Sequence, residues 1–462
     1  MTSELLAEHT TGADTASAVA DAVRENDIEL IRFLWVDHCG LLRGKSVSAK
    51  ALAARMRSGV GLATSRQAAS IFDDSHPVPG VRLMEEVRIV PDPATFTLLP
   101  HAPGSAAMLC DLVTRSGGPW GGCPRTFLRG AVDAAAELDM QVVAAFEPEF
   151  TLAVDRGRPE ELELFDSGLC LDNEAFDAAN DYIVELCRAL RSHGIAVEGY
   201  HPETSPGQHE LTIEHGPAVR AADQHVWQRA FTRGLARARG LRATFAPLPR
   251  PGLRGNGNHL HVSLWRPGAG NLFADPAGGD GLSELGRHFV GGVLAHLPAL
   301  LALTCPSVNS YERLEPGRWA GAFGCYGPDN RDAAVRVPSL LGGDGASANI
   351  ELKACDNTAN PYLALGALIH AGLDGVRRRL DPGEPLVDDP NTLSDAELAR
   401  RGVRPLPRSL GEALDALERD EYLRTALGSP RHEMYSTIKH ADIRDMKDLG
   451  SEGMFAVHAH RF

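Results

Sequence analysis

From Thr15 to Glu25 small apolar residues recur at helical spacing, and from Ile28 to Asp37 branched and aromatic residues alternate with polar ones as in a half-buried strand. Strand-like text returns at Arg88 to Val90, Thr95 to Leu99 and Ala106 to Val113. The Gly- and Pro-rich run Arg115 to Pro124 then reads as a linker, which puts a domain boundary near Gly121. Thr126 to Leu138 predicts a helix. Beyond it, strand and helix patterns carry recurrent polar clusters at Glu147, Glu203, His259 and Glu351, so the chemistry is expected in this larger half. The most apolar stretch, Val290 to Leu303, is broken by His296 and Pro298 and is too short to span a bilayer. Met1 to Thr15 lacks the basic and apolar regions of a signal peptide, so the expected location is the cytoplasm, with no membrane partner.

At 462 residues, 43% hydrophobic and 23% charged, the chain has an ordinary globular balance and enough apolar material for one large core or two. The net charge of −15 offers no bulk basic surface for a phosphate backbone, so nucleic acid is not an expected partner. Net acidity suits solubility or a site that uses cations, and decides nothing more. Eight scattered cysteines (Cys39, Cys110, Cys123, Cys170, Cys187, Cys305, Cys325, Cys355) form no C-x-x-C pair, which argues against a disulfide scaffold or a thiolate metal site. Basic residues are almost all Arg, as a GC-rich genome produces; Lys353 is one of few lysines and stands among the polar clusters. Gly40-Leu41-Leu42-Arg43-Gly44-Lys45-Ser46 imitates a phosphate-binding loop but has three residues between its glycines where that motif needs four, and it reads as a hairpin.

Phe146-Glu147-Pro148-Glu149-Phe150 follows the apolar run Val142 to Ala145, and residues two apart on a strand face the same side. Alone, this would be a solvated turn. It is accompanied by Glu198, Glu203 and Glu210 around Pro206-Gly207-Gln208-His209, by Gly255-Asn256-Gly257-Asn258-His259-Leu260-His261 with two His on one face, and by Asn349-Ile350-Glu351-Leu352-Lys353. Several carboxylates with an imidazole and no thiolate make a ligand set for Mg²⁺ or Mn²⁺, with carboxylates enough for two cations. Arg313, Arg331 and Arg336 offer planar forks for phosphate or carboxylate oxygens. Together these parts suit metal-assisted phosphoryl transfer.

The motifs Glu147-Pro148-Glu149, Gly207-Gln208-His209-Glu210, Gly255 to His261, Asn309-Ser310-Tyr311-Glu312-Arg313-Leu314, Asn330-Arg331, and Asn360-Pro361-Tyr362-Leu363-Ala364 with Ala371-Gly372-Leu373-Asp374-Gly375 stand in one order. In that order the chain resembles the glutamine synthetase superfamily, bacterial type I branch, over roughly residues 16 to 440; the tail after Glu433 resembles it poorly. The resemblance implies an α+β fold: an N-terminal β-grasp domain at 16–120, then a catalytic domain of ATP-grasping, guanido-kinase-like type at 121–462 with a curved antiparallel sheet. It also implies self-association into hexameric rings, stacked as a dodecamer, with active sites between neighbouring subunits. In this family ATP phosphorylates the γ-carboxylate of glutamate and an amine displaces the phosphate. Carried over, Glu149, Glu203 and Glu210 would bind one Mg²⁺ or Mn²⁺, and Glu147, His259 and Glu351 another. His261, Ser263, Glu198 and Arg336 would serve ATP, Arg331 the phosphoryl group and Arg313 the glutamate α-carboxylate. Gly255, with Arg254 and Lys353, would line the amino-acid pocket.

The amine end departs from the family. Where glutamine synthetases carry Gly-Phe-Glu or Gly-Tyr-Glu, whose Glu closes the site and takes a proton from ammonium, this chain has Pro316-Gly317-Arg318-Trp319. One ammonium-site Asp aligns with Ala63 in Leu62-Ala63-Thr64-Ser65, and the second aligns with Glu86. An ammonium ion needs carboxylates to offset desolvation and accept its proton, which an indole cannot do. Trp319 can pack on the carbon of an alkylated amine or cover its charge. Arg254 stands where the family has Asn, Lys353 where it has Arg, and Asn349 where it has an Arg of the nucleotide site. Asp389 to Leu393 lacks the Asn-Leu-Tyr of adenylylated members. The expected activity is ATP-dependent γ-glutamylation of a small primary amine, as in the glutamate–amine ligases that make γ-glutamylethanolamide, with ethanolamine the first candidate. A polyamine ranks second, ammonia third, and a non-catalytic oligomeric scaffold or regulator is the rival of another class.

Overall fold

The computed structural model describes residues 12–158, 161–275, 281–339 and 345–462. Its first sheet is built by Leu30–Val36, Leu42–Ser48, Glu86–Pro91, Thr97–Leu98 and Ser105–Val113, where the N-terminal pattern predicts strands and a hairpin, and by Val60–Ala63, which that pattern does not predict. Leu30–Val36 runs parallel to Ser105–Val113, and every other pairing is antiparallel. Ile31 and Phe33 point inward against Ile89, Ala106 and Met108, and the helix Gly12–Glu25 closes this small core with Val19 and Val23. Leu30–Val36 and Leu42–Ser48 pair directly, so Gly40 to Ser46 is the turn and second arm of a hairpin. The expected linker is folded down, with Trp120 and Cys123 buried in the same core.

The second sheet is larger. Its main path is Phe323–Pro328, Ala333–Val337, Ile350–Leu352, Asn258–Arg266, Gln141–Val154, Gln208–Ile213 and Val197–Pro202, antiparallel except at its first pair. One face is covered by helices that include Pro124–Ala136, Ala218–Ala238 and Pro361–Arg378. The run Asn360-Pro361 begins the last of these in the expected chemistry of a helix start: the Asn360 side chain accepts from the N–H groups of Tyr362 and Leu363, and Pro361 fills the first turn. The same side chain donates to the carbonyls of Val36 and Asp37, tying this helix to the hairpin of the small sheet.

The apolar run from Val290 belongs to a longer element than expected, the 21-residue helix Glu284–Thr304, which by length and composition alone could cross a bilayer. It is a core helix instead, packed on Pro361–Arg378. A Cβ on Gly292 would meet the Ala371 carbonyl at 2.2 Å, and one on Gly375 would meet that of His288 at 2.1 Å, so glycine is what lets the two backbones approach. His296, which breaks the apolar run, is clamped by Asp420 at 2.6 Å and Asp374 at 3.0 Å. Burial opposes its charge, yet the two carboxylates hold its pKa above the ordinary histidine value.

A buried guanidinium ties the two sheets together. Arg125, in the first turn of Pro124–Ala136, is buried and reaches Asp223 through two bonds of 3.0 and 2.6 Å, Asp92 at 2.8 Å and Asp111 at 3.2 Å.

Candidate functional site

Strand register assembles the site. Glu147 and Glu149 share one side of the 14-residue strand Gln141–Val154, as the two-residue spacing predicts. Glu147 stands opposite His259, and Glu149 stands opposite Glu210. Glu210 in turn faces His201, while Glu351 lies between His261 on one neighbouring strand and Arg336 on the other. Motifs up to 200 residues apart thus meet because the ladders put them side by side.

All of these side chains except His261, which stands behind Glu147, line a cavity of about 600 Å³ that also receives Glu203, Arg254, Gly255, Arg313, Trp319, Arg331 and Lys353. His259 Nδ1 lies 3.3 Å from Glu351 and 3.6 Å from Glu147, and its Nε2 lies 3.8 Å from Glu149. His261 Nε2 lies 3.2 Å from Glu147. Three groups bring their ligand atoms within 4.8 Å of one another: Glu147, Glu210 and His259; Glu147, His261 and Glu351; His201, Glu203 and Glu210. Glu149 is oriented by Gln208 Nε2 at 2.8 Å and the Gly257 N–H at 3.0 Å.

The electrostatics are those of a site in need of positive charge. Burial, then the neighbouring Glu147, Glu149 and Glu203, push Glu210 up to about 10. Burial acts the same way on Glu351, but Lys353, His259 and His261 overcome it and bring that carboxyl down to about 2. The imidazoles of His261 and His259 likewise hold Glu147 below the usual carboxylate range against its burial, and His261 is raised to about 9, chiefly by Glu147. A crowd of buried carboxylates with two imidazoles and no thiolate is an oxygen-rich donor set that fits hard divalent cations.

The cationic residues divide by depth. Arg313 is buried, donates to the Cys355 carbonyl at 3.2 Å and stands 3.5 Å from His259. Lys353 is buried 3.3 Å from Glu351. Arg336 holds the other Glu351 oxygen at 2.9 Å, and Arg331 is exposed at the rim. A Cβ on Gly255 would collide with the Pro247 carbonyl at 2.3 Å and with Arg313 Cγ at 2.6 Å, so the arginine stem requires glycine there. At the mouth Trp319 is 62% exposed with φ 57°, its N–H held by Asp332, and Arg254 donates to the Gly317 carbonyl at 3.3 Å.

Not every predicted residue gathers here. Glu198 is exposed on Val197–Pro202 outside the cavity lining, and Ser263 lies further along the strand from His261, accepting from Trp265 Nε1 at 2.9 Å. Ala63 and Glu86 are register partners in the small sheet and do not line the cavity of their own chain. Conversely, His201, 2.9 Å from Glu203, escaped the sequence reading although its two-residue spacing from that glutamate was the available signal. Ser451 and Phe455 of the C-terminal helical segment also line the cavity and had no such signal. Two acids remain beside Trp319 in the lining, Glu312 and Glu315, the latter paired with Arg318 at 3.3 Å.

Comparison with known proteins accounts for this arrangement. Residues 15–120 match the glutamine synthetase N-terminal domain and residues 121–455 its catalytic domain, the latter extending beyond residue 440 into the tail that was expected to resemble the family poorly. A glutamine synthetase of Halobacterium salinarum is 34% identical over 445 residues, 95% of each chain. A gamma-glutamylpolyamine synthetase of Streptomyces coelicolor is 35% identical over 465 residues, 97% of each. Among solved structures, a novel glutamine synthase homolog superposes with a TM-score of 0.82 at 34% identity, covering 94% of this chain and 99% of that one. An ADP complex of GmaS superposes with the same score at 32% identity, covering 93% and 96%. Domain matches, sequence identity and superposition agree: the chain belongs to the glutamine synthetase family, a mixed α+β ligase that forms C–N bonds at the expense of ATP.

Proposed function

We propose that the chain joins the γ-carboxyl of glutamate to a short alkylated amine, ethanolamine being the first candidate, and makes a γ-glutamylamide, ADP and phosphate. In this reading Glu149, Glu203 and Glu210 hold one divalent cation and Glu147, His259 and Glu351 another, Mg²⁺ or Mn²⁺. Such cations, when bound, offset the charge of the ATP phosphates and of the phosphoryl group in transfer. Arg331 holds that phosphoryl group from the rim, and Arg313 takes the glutamate α-carboxylate beside Gly255, Arg254 and Lys353. His261, Ser263, Glu198 and Arg336 serve the nucleotide. A γ-carboxylate oxygen attacks the γ-phosphorus and ADP leaves. The free amine nitrogen then attacks the γ-glutamyl phosphate carbonyl, the C–O bond to phosphate breaks, and the departing phosphate takes the proton that the nitrogen loses. Ala63 and Glu86, remote from their own cavity, reach the amine end of a neighbour's cavity in a hexameric ring, two rings making a dodecamer.

The observation that carries the amine reading is Trp319 at the cavity mouth, where its indole is exposed beside a glutamate already paired with Arg318. An apolar face there favours a nucleophile with its own carbon surface over bare ammonium. Trp319→Glu is therefore expected to raise kcat/KM for ammonium about tenfold or more and lower it for the alkylamine, since a carboxylate gained near a desolvated cation is worth at least one such factor. Unchanged ratios in a steady-state phosphate-release assay would remove Trp319 from the account. A polyamine is the second reading, favoured by Glu312 and Glu315 in the lining and by the 35% identical gamma-glutamylpolyamine synthetase.

A further inference from the structure

A second cavity, of about 540 Å³, shares no lining residue with the carboxylate site. It opens between the small sheet and the helix Ala218–Ala238, and its chemistry is the reverse of the first. Arg229, Arg233 and Arg237 follow one another at four-residue spacing on one face of that helix, while Arg32 comes from Leu30–Val36 and His101 from the turn before Ser105–Val113. Among the described residues no aspartate or glutamate lines it. Among the described residues none of these four arginines has a carboxylate within salt-bridge distance. Arg233 spends its donors on the uncharged carbonyls of Arg461 and His460, and the Arg229 Nε is shut off from solvent with no acceptor. Asp356, the one carboxylate that acts on Arg229, is held by Thr358 and does not line the cavity.

Like charges four apart on a helix repel, and packing them into a recess adds a desolvation cost. Burial and then Arg233 bring Arg229 down to about 9, and burial, Arg237 and Arg242 bring Arg233 to about 10. His101 is lowered by burial, Arg32 and Arg237. Such an arrangement is costly when empty of counter-charge and becomes favourable when an anion enters, because planar guanidinium forks bind carboxylate and phosphate oxygens in pairs. Leu34, Leu99 and Trp227 supply the apolar remainder of the wall. We propose that this cavity binds a small organic polyanion, its carboxylate or phosphate groups on Arg32, Arg229 and Arg237 and its carbon portion against Trp227 and Leu34.

The test is titration calorimetry on the full chain, free of metal, with benzene-1,3,5-tricarboxylate, citrate and pyrophosphate as probes. Saturable binding of one probe per chain is expected, stronger for the tricarboxylates if the natural ligand is a carboxylic acid and for pyrophosphate if it is a phosphate ester. Arg32→Gln and Arg237→Gln should each weaken it about tenfold, the worth of one charge-assisted contact, and Arg331→Ala in the other cavity should leave it unchanged. Loss of binding in Arg331→Ala with none in Arg32→Gln or Arg237→Gln would place the anion in the carboxylate cavity and overturn the proposal. So would the lack of saturation by any probe below about 10 mM, weaker than the binding energy expected of three guanidinium contacts.

Discussion

Glu351→Ala is expected to lower ATP-dependent amide formation by at least about a thousandfold, the scale of losing a group that positions charge at a phosphoryl-transfer site. The residue is 1% exposed and occupies the point where three strands converge. Its two oxygens face Arg336 at 2.9 Å and Lys353 and His259 at 3.3 Å each. Removing the carboxylate takes away one proposed metal ligand and leaves the buried Lys353 ammonium without its carboxylate partner. The second effect alone is worth about 3–5 kcal/mol of stability. Glu351→Gln keeps the shape and separates the two contributions: activity should still collapse, with a smaller fall in the unfolding midpoint. Phosphate release and thermal unfolding of both variants decide the matter, and full activity in either would remove Glu351 from the metal site.

The largest purely structural effect is expected at Arg125. Arg125→Met removes the cation that Asp92, Asp111 and Asp223 share, and Arg129, at 3.1 Å from Asp92 and 3.5 Å from Asp111, can replace it for only two of them. Asp223 is left buried with the Tyr362 hydroxyl at 2.7 Å as its remaining partner. Breaking a buried pair from one side costs about 3–5 kcal/mol. Because Asp92 and Asp111 belong to the first sheet and Asp223 to a helix of the second, the loss falls on the seam between them. Urea unfolding followed by tryptophan fluorescence should show a lower midpoint, with Trp35 and Trp120 of the small core reporting it. An unchanged midpoint would mean that the network contributes little to stability.

The parts of the site that were legible in the sequence are those written in a period of two. Glu147-Pro148-Glu149, His259-Leu260-His261 and Glu351-Leu352-Lys353 each put two polar side chains on one strand face, and the hydrophobic residues around them fix which face that is. What the spacing could not show is which motif lies opposite which, because register between distant strands is set by the whole sheet. Only the ladders pair Glu147 with His259 and Glu351 with His261 and Arg336. The apolar run at Val290 is shorter than its helix because the first turns, from Glu284 to Phe289, carry the polar Glu284, Arg287 and His288, and His296 inside the run is buried between Asp374 and Asp420. Ser451 and Phe455 reach the cavity only through the docking of the C-terminal segment, where Asn309 Nδ2 meets the Met454 sulfur at 3.3 Å, a contact no local pattern encodes. The arginine recess was hidden for a different reason: in a chain whose basic residues are nearly all Arg, four more attract no notice until the fold shows that none has a carboxylate partner among the described residues.

In the proposed reaction a carboxylate-lined metal site activates glutamate for an amine that carries its own carbon surface. Phosphate release from ATP with glutamate and Mg²⁺, across ammonium, methylamine, ethanolamine, putrescine and spermidine with mass spectrometry of the products, tests it most directly. The account predicts a γ-glutamylamide from a short alkylamine, ethanolamine first, with ammonium giving little turnover. Ammonium exceeding every alkylated amine, or no phosphate release with any amine, would contradict it.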